Sequence, residues 1–332
     1  MLELVALSEA MREAAAMAER VAATDANVLV TGESGAGKDA LATFIHAQSR
    51  RAHKAFVKID CATLPSDLLE AELFGYERGA FTGASEAKPG RLEAAHRGTL
   101  VLDEIAHLPL DAQAKLLRVI EQREFERLGG RKTISVDARL IALTNADLKN
   151  AVERRAFRDD LFYRLNVVHI LVPPLRDRQK DLEPLARLFA ATYAQKHGTR
   201  AKKISPEALR YLKSYDFPGN VRELANIIER AVIVADGSSI EPGHLPDGLR
   251  AAAERRAREN RPPTLAEIEA NYIREVLAAS KGNKTEAARI LGISRKNLYE
   301  RLAREEQMSE VRRQKSDIRG QKSDVSEDGG DL

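Results

Sequence analysis

Five short, mostly apolar runs punctuate the first half of the chain, with segments of helical spacing between them. Val28-Leu29-Val30, Ala55–Asp60, Thr99–Leu102, Arg139–Thr144 and Val167–Val172 are of strand length, and Pro173-Pro174 stops the last one. Ahead of the first run, Ser8 stands in N-cap position before Met11, Ala15, Ala18 and Val21 at helical spacing. Ala40–Ala47 reads as a second helix. Strands that alternate with helices predict an α/β fold, a parallel sheet with helices on both faces.

Beyond residue 174 the strand pattern stops. Leu182, Leu185, Leu188 and Phe189 recur at helical spacing, and Ser205-Pro206-Glu207 is a helix start with Ser as N-cap and Pro at the first position. Asn220-x-x-Glu223 resembles a capping box that opens an apolar helix through Ile227, Ile228 and Ala231. Residues 175–248 therefore predict a small helical lid on a sheet subdomain of residues 1–174, with loops at 236–239 and 241–248. Residues 249–263 are rich in Ala, Arg and Glu and end in Pro262-Pro263, as a linker does.

A third pattern fills residues 264–304. Ile268, Tyr272, Ile273, Val276 and Leu277 give an amphipathic helix. Asn283-x-x-Glu286 caps a second helix over Lys284–Leu291, Gly292-Ile293 makes a turn, and Ser294 caps a third helix, Arg295–Ala303. Short helices joined by a glycine turn predict a helix-turn-helix, with Ile290, Ile293, Leu298 and Leu302 in its core. Its third helix would offer Arg295, Lys296, Asn297, Tyr299 and Arg301 to the major groove of double-stranded DNA. After Arg304 the chain is charged and glycine-rich, with Gln-Lys-Ser-Asp at 314–317 and again at 321–324, and residues 305–332 read as a disordered tail.

Charge sharpens this division. The 332 residues carry a net charge of +3, yet residues 281–304 hold seven Lys/Arg against two Glu, so the remainder is near −2. A basic module on a near-neutral body predicts a nucleic-acid partner for that module alone. With 43% hydrophobic and 31% charged residues the chain is of globular type. No apolar run spans a membrane, no secretory pattern opens the chain, and the single Cys61 has no disulfide partner, which together predict the cytoplasm.

The candidate chemistry sits at the ends of the apolar runs. Gly32-Glu33-Ser34-Gly35-Ala36-Gly37-Lys38-Asp39 is Gly-x4-Gly-Lys between a strand and a helix. Such a loop turns backbone N–H groups and a helix N-terminus toward phosphates, and its lysine adds a point charge. Asp39 replaces the usual Ser/Thr and can serve Mg²⁺ directly or through water. The strand at Thr99 closes on Asp103-Glu104, which suits a metal-holding carboxylate followed by a general base for an attacking water. Asn145, after the strand at Arg139, is either a sensor of the γ-phosphate or a turn former. Gly79-Ala80-Phe81-Thr82-Gly83-Ala84 can fold into a tight loop that offers Phe81 and Thr82 to a partner.

Residues 1–245 resemble the AAA+ ATPase domain of the bacterial enhancer-binding activators of sigma-54 RNA polymerase. The resemblance is carried by Gly32–Asp39, Glu72-Leu73-Phe74-Gly75, Gly79–Ala84, Leu102-Asp103-Glu104, Phe157–Leu165 and Pro218–Leu224. Residues 264–304 resemble the Fis-type DNA-binding domain, which dimerises through its first helix. The resemblance implies ATP with Mg²⁺ between subunits of a ring hexamer, with a dimer at rest. It also implies that Gly79–Ala84 engages the sigma-54 RNA polymerase holoenzyme, while the C-terminal module holds upstream enhancer DNA. Arg158 and Arg164 then become arginine fingers reaching into a neighbouring site, Asn145 a first sensor and Arg222 a second sensor from the lid. An acidic residue at Asp39 is usual in that family. Asp60 departs from its usual Asn and would meet Glu104 as a like charge. Control of such a protein would come from a separate partner or from a regulatory domain upstream of this stretch.

Overall fold

The computed structural model describes residues 4–200, 203–251, 265–280 and 282–302, and the predicted tail at 305–332 lies outside them. The chain divides into two compact units, Met1–Arg256 and Ala257–Leu332.

The first unit is built on five parallel strands, β1 (Val28–Thr31), β2 (Phe56–Asp60), β3 (Thr99–Asp103), β4 (Arg139–Thr144) and β5 (Val168–Leu171), in the spatial order β2-β3-β4-β1-β5. The three inner strands are buried almost throughout, whereas β2 and β5 at the edges are half-open. Alternate residues serve opposite faces. Leu29, Leu100, Leu102, Leu140 and Ala142 pack with Phe74 and Leu116 on one side. Val28, Val30, Val101, Ile141 and Leu143 pack with Met11, Leu41 and Ile45 on the other. Helix Glu9–Ala22 starts at the predicted cap, with Ser8 accepting from the Met11 N–H. Buried Arg139, at the head of β4, donates to the Val21 and Ala22 carbonyls at 2.8 and 3.1 Å and so closes that helix's C-terminal end.

The lid helices Gln179–Lys196, Pro206–Lys213 and Asn220–Val234 enclose their own core around Leu182, Phe189, Leu212, Phe217, Leu224 and Ile228. Two-residue strands at Lys203–Ile204 and Ser239–Ile240 pair beside them, too short to leave a sequence period. The capping box expected at Asn220 takes a different form. Gly219 is the N-cap, and the Glu223 carboxylate accepts its N–H at 2.9 Å. Asn220 is the first helical residue, fully buried, at φ 54°. Its amide is spent on tertiary bonds, which outbid the local cap.

In the second unit, helices Leu265–Ala279 and Lys284–Ile290 are followed by a third over residues 295–302. Asn283 accepts from the Thr285 and Glu286 N–H groups, and Gly292 makes the turn at φ 66°. Ile273, Val276, Ala287, Ala288 and Leu298 form the core, with Leu277, Leu291, Ile293 and Leu302 against it. The expected core residue Ile290 is instead half exposed, because the helix turns Ala287 and Leu291 inward. Ile268 and Tyr272 also face outward.

Candidate functional site

The carboxyl ends of β1, β3 and β4 share one edge of the sheet, where ligands of open α/β sheets bind. Gly32–Asp39 bridges β1 and helix Lys38–Ala47 there. A Cβ on Gly35 would meet the Gly219 carbonyl at 2.4 Å, so the lid's close approach, as well as φ 73°, requires glycine. Lys38 is buried, and its Nζ donates to the Gly32 and Glu33 carbonyls at 2.9 and 3.2 Å. It lies 3.8 Å from Glu104 Oε1. Burial pulls the Lys38 pKa down, while Glu104, Asp103 and Asp39 push it back up.

Asp103 ends β3, and the chain then turns sharply at Glu104, with φ 50° and ψ 50°. A side chain in this left-handed region costs roughly 1–3 kcal/mol. The turn swings the carboxylate off the strand, so that Oε2 accepts the backbone N–H of Asn145 at 3.2 Å. Asn145 thus meets Glu104 through its backbone. Asp60, in register with Asp103, accepts the Ala62 N–H at 2.9 Å and is held in its own turn. Beside it, burial and then the charges of Asp60, Asp103 and Glu104 push the Cys61 thiol up to about 12. Cys61 is therefore expected to stay unmodified by iodoacetamide at pH 8 in the folded protein and to react once denaturant is added. Mass spectrometry checks this, and rapid alkylation of the folded chain would contradict it.

Lys58 joins the site without a motif to announce it. Its Nζ lies 2.7 Å from Asp103 Oδ2 and also hydrogen-bonds Asp39 Oδ1. Asp39 and Asp103 therefore converge on a single cationic group. Among the described residues no cluster of three or more His, Cys, Asp or Glu side chains forms. A pair of carboxylates nevertheless fits Mg²⁺, which takes one or two from the protein and the rest of its oxygens from phosphate and water.

The lid is tied to the phosphate loop from residues far along the chain. Arg222 donates to Ser34 Oγ at 3.0 Å, and Val221 N–H donates to the Gly35 carbonyl at 3.0 Å. Asn220 donates to Glu33 Oε2 and to the Ser34 carbonyl at 3.0 and 3.1 Å. Arg176 grips both Glu33 oxygens at 2.8 and 2.6 Å. Hydrogen bonds from Arg176 and then Asn220 hold the Glu33 carboxyl down to about 2. Buried Arg178 donates to the Ala36 carbonyl, and buried Asp181 accepts from Ser8 N–H and Oγ at 2.8 and 2.7 Å. Arg176, Arg178, Asp181 and Lys58 lack a local signal; their roles depend on chain segments brought together by folding. The resulting cleft is lined by Lys38, Asp39, Asp103, Glu104 and Arg222, with Phe189, Val221 and Ala225 on its apolar side.

Arg158 and Arg164 do not line this cleft. Arg158 pairs with Asp160 at 2.7 Å and Arg164 with Glu121 at 3.0 Å, all four side chains being well exposed. Gly79–Ala84 is closed by Gly79 N–H to the Ala84 carbonyl at 2.8 Å and by Ala84 N–H to the Phe81 carbonyl at 3.0 Å. Thr82 and Gly83 are exposed; Phe81 is 41% exposed and rests edge-on against Tyr76, with ring centres 5.0 Å apart. Ala80 lies against Gly129 of the hairpin Glu124–Glu126/Thr133–Ser135. In the second unit Arg295, Lys296 and Asn297 are exposed. Tyr299 carries Lys284 Nζ 4.7 Å from its ring centre, and Arg301 pairs with Glu269.

Residues 4–171 match the family described as "Sigma-54 interaction domain", residues 176–262 the "AAA+ ATPase lid domain" and residues 264–304 the "Bacterial regulatory protein, Fis family". The chain belongs to the sigma-54-dependent activator family. It joins a AAA+ P-loop NTPase fold to a Fis-type DNA-binding helix-turn-helix. It is 46% identical over 307 residues to the regulatory protein AtoC of Escherichia coli K12, covering 89% of this chain and 66% of AtoC. It is 43% identical over 315 residues to the transcriptional regulatory protein FlbD of Caulobacter vibrioides, covering 90% of this chain and 69% of FlbD. The chain thus spans about two thirds of these relatives. The crystal structure of NtrX from Brucella abortus in complex with ATP superposes with a TM-score of 0.70 at 36% identity, covering 91% of this chain and 69% of NtrX. No helix among the described residues is long and apolar enough to cross a membrane.

Proposed function

We propose that this activator hydrolyses ATP as a ring oligomer and uses the Gly79–Ala84 loop to remodel the sigma-54 RNA polymerase closed complex while its Fis-type module holds enhancer DNA. The observation that carries the reading is the convergence of Lys38, Asp103 and Glu104 at one edge of the sheet, in a chain that also presents a glycine-bracketed loop with an exposed Phe-Thr tip. Crystals of the relative NtrX with ATP and with ADP support nucleotide in this cleft. Gly32–Asp39 would cradle the phosphates, and the apolar side formed by Phe189, Val221 and Ala225 suits a purine base. Asp39 and Asp103 would hold Mg²⁺, which when bound neutralises charge on the phosphates. Glu104, aimed by its backbone turn and by the Asn145 N–H, would take the proton from water. Arg222, already on Ser34, would report the phosphate state to the lid.

Phe81 and Thr82 ligate neither phosphate nor metal in this arrangement, so their work is transmission. A switch requires contacts that differ between nucleotide states. Phe81→Ala and Thr82→Ala are expected to leave assembly and ATP turnover within about threefold of normal, because neither side chain lines the cleft. Both should abolish sigma-54 binding in the presence of ADP and aluminium fluoride, and promoter opening with it. Wild-type opening rates in both variants would remove the loop from this role.

A further inference from the structure

We propose that the Lys58 ammonium competes with the divalent cation for Asp39 and Asp103, and so sets the metal affinity of the nucleotide site. The inference rests on the metal–nucleotide reading above and deepens it. Lys58 lies on β2 between Phe56 and Asp60, on the face away from core residue Ile59. Asp39 is in the first turn of helix Lys38–Ala47, and Asp103 closes the neighbouring strand β3. Lys58 Nζ reaches both, at 2.7 Å from Asp103 Oδ2 and in a hydrogen bond to Asp39 Oδ1. The other Asp103 oxygen, Oδ1, accepts the Glu104 N–H at 3.0 Å. Each oxygen of Asp103 thus already accepts one bond, and a metal ligated by Oδ2 would stand within a few ångströms of the ammonium, whose repulsion favours its release. The side chain is 37% exposed, so it has solvent to swing into.

A cation that neutralises this pair also keeps two carboxylates from repelling each other when nucleotide leaves. The cost is that an arriving dication must displace a bonded ammonium or stand near it, and like charges at such range repel. Lys58 thereby favours a site that takes metal together with nucleotide phosphates, whose added negative charge tips the exchange, over one that scavenges metal alone.

The test uses Mn²⁺ as the probe, with the full chain in excess over ADP so that the nucleotide is protein-bound, read by the loss of the free-ion electron paramagnetic resonance signal beyond that in an ADP-only control. Lys58→Met is expected to bind Mn²⁺ about tenfold more tightly than wild type, the order expected for removing one adjacent charge in a partly screened site. Lys58→Arg keeps the charge and should stay within about threefold of wild type. Without nucleotide and in EDTA, Lys58→Met should melt at a lower temperature than wild type, and replacing the EDTA with Mn²⁺ should narrow the gap. Equal or weaker Mn²⁺ binding by a folded Lys58→Met protein overturns the proposal, as does loss of ADP affinity in EDTA, which would make Lys58 a phosphate ligand. If wild type binds ADP but takes up no Mn²⁺ with it, the metal–nucleotide reading fails first and this inference falls with it.

Discussion

Alanine in place of Arg158 or Arg164 is expected to lower ATP turnover by about 10³–10⁵-fold, the usual worth of an arginine finger, while nucleotide binding persists. The reason lies in where the two guanidinium groups are not. Neither lines the cleft of its own chain, and each stands well exposed beside a carboxylate, Asp160 or Glu121. Exposed pairs of this kind are weakly held, so either arginine can leave its partner for a neighbour's phosphate. Helix Asp159–Leu165, which carries Arg164, is anchored by buried Leu161, Phe162 and Leu165, and Arg158 is fixed at its start by its N–H to Gln113 Oε1 at 2.8 Å. The arginines are thus projected from a rigid base. Each alanine variant should be inactive alone but should restore hydrolysis when mixed with Lys38→Ala, since the first supplies an intact cleft and the second an intact finger. Co-assembled mixtures that recover no turnover would place both arginines outside the chemistry.

Glu104→Gln is expected to cut hydrolysis by about 10²–10⁴-fold, the contribution of a positioned general base, and to leave ATP binding in place. Glutamine keeps an oxygen for the Asn145 N–H, so the left-handed turn that aims the side chain should survive. Lys38 loses one counter-charge but retains those of Asp103 and Asp39. Single-turnover hydrolysis and equilibrium binding of a fluorescent ATP analogue separate the two effects. Near-normal turnover would take Glu104 out of the role, and a matching loss of binding would make it a structural partner of Lys38 instead. Asp60 bears on the same experiment. It is tied to the Ala62 N–H, while Glu104 has Lys38 and Asn145 as its partners, so Asp60 supplies none of the contacts that hold the base.

The inner strands were legible because both their faces are covered, which leaves uninterrupted apolar runs such as Leu100-Val101-Leu102. Caps at Ser8, Ser205 and Asn283 were legible because a short side chain bonding an N–H two or three residues on is a local event. The Asn220 capping box misled for the complementary reason. Its amide had better partners at Glu33, Ser34 and Leu175, all brought near only by folding. Ile290 misled because a seven-residue helix between two turns can present either of two adjacent apolar residues, and packing chose Leu291.

The linear sequence determined the parallel α/β architecture, the phosphate loop, the acidic strand end, the exposed hexapeptide loop and the helix-turn-helix. Each rests on periodicity or on residues within about one turn of one another, so short-range sterics and burial suffice to specify it. Tertiary structure decided the rest. It set the strand order that brings Asp103 beside the loop, the clamp of Arg176 and Asn220 on Glu33, the hold of Asp181 on Ser8, and the reach of Lys58 to Asp39 and Asp103. These contacts join side chains up to 187 residues apart. A charged or amide group with no local partner can be satisfied in many ways, and only the packed chain selects one.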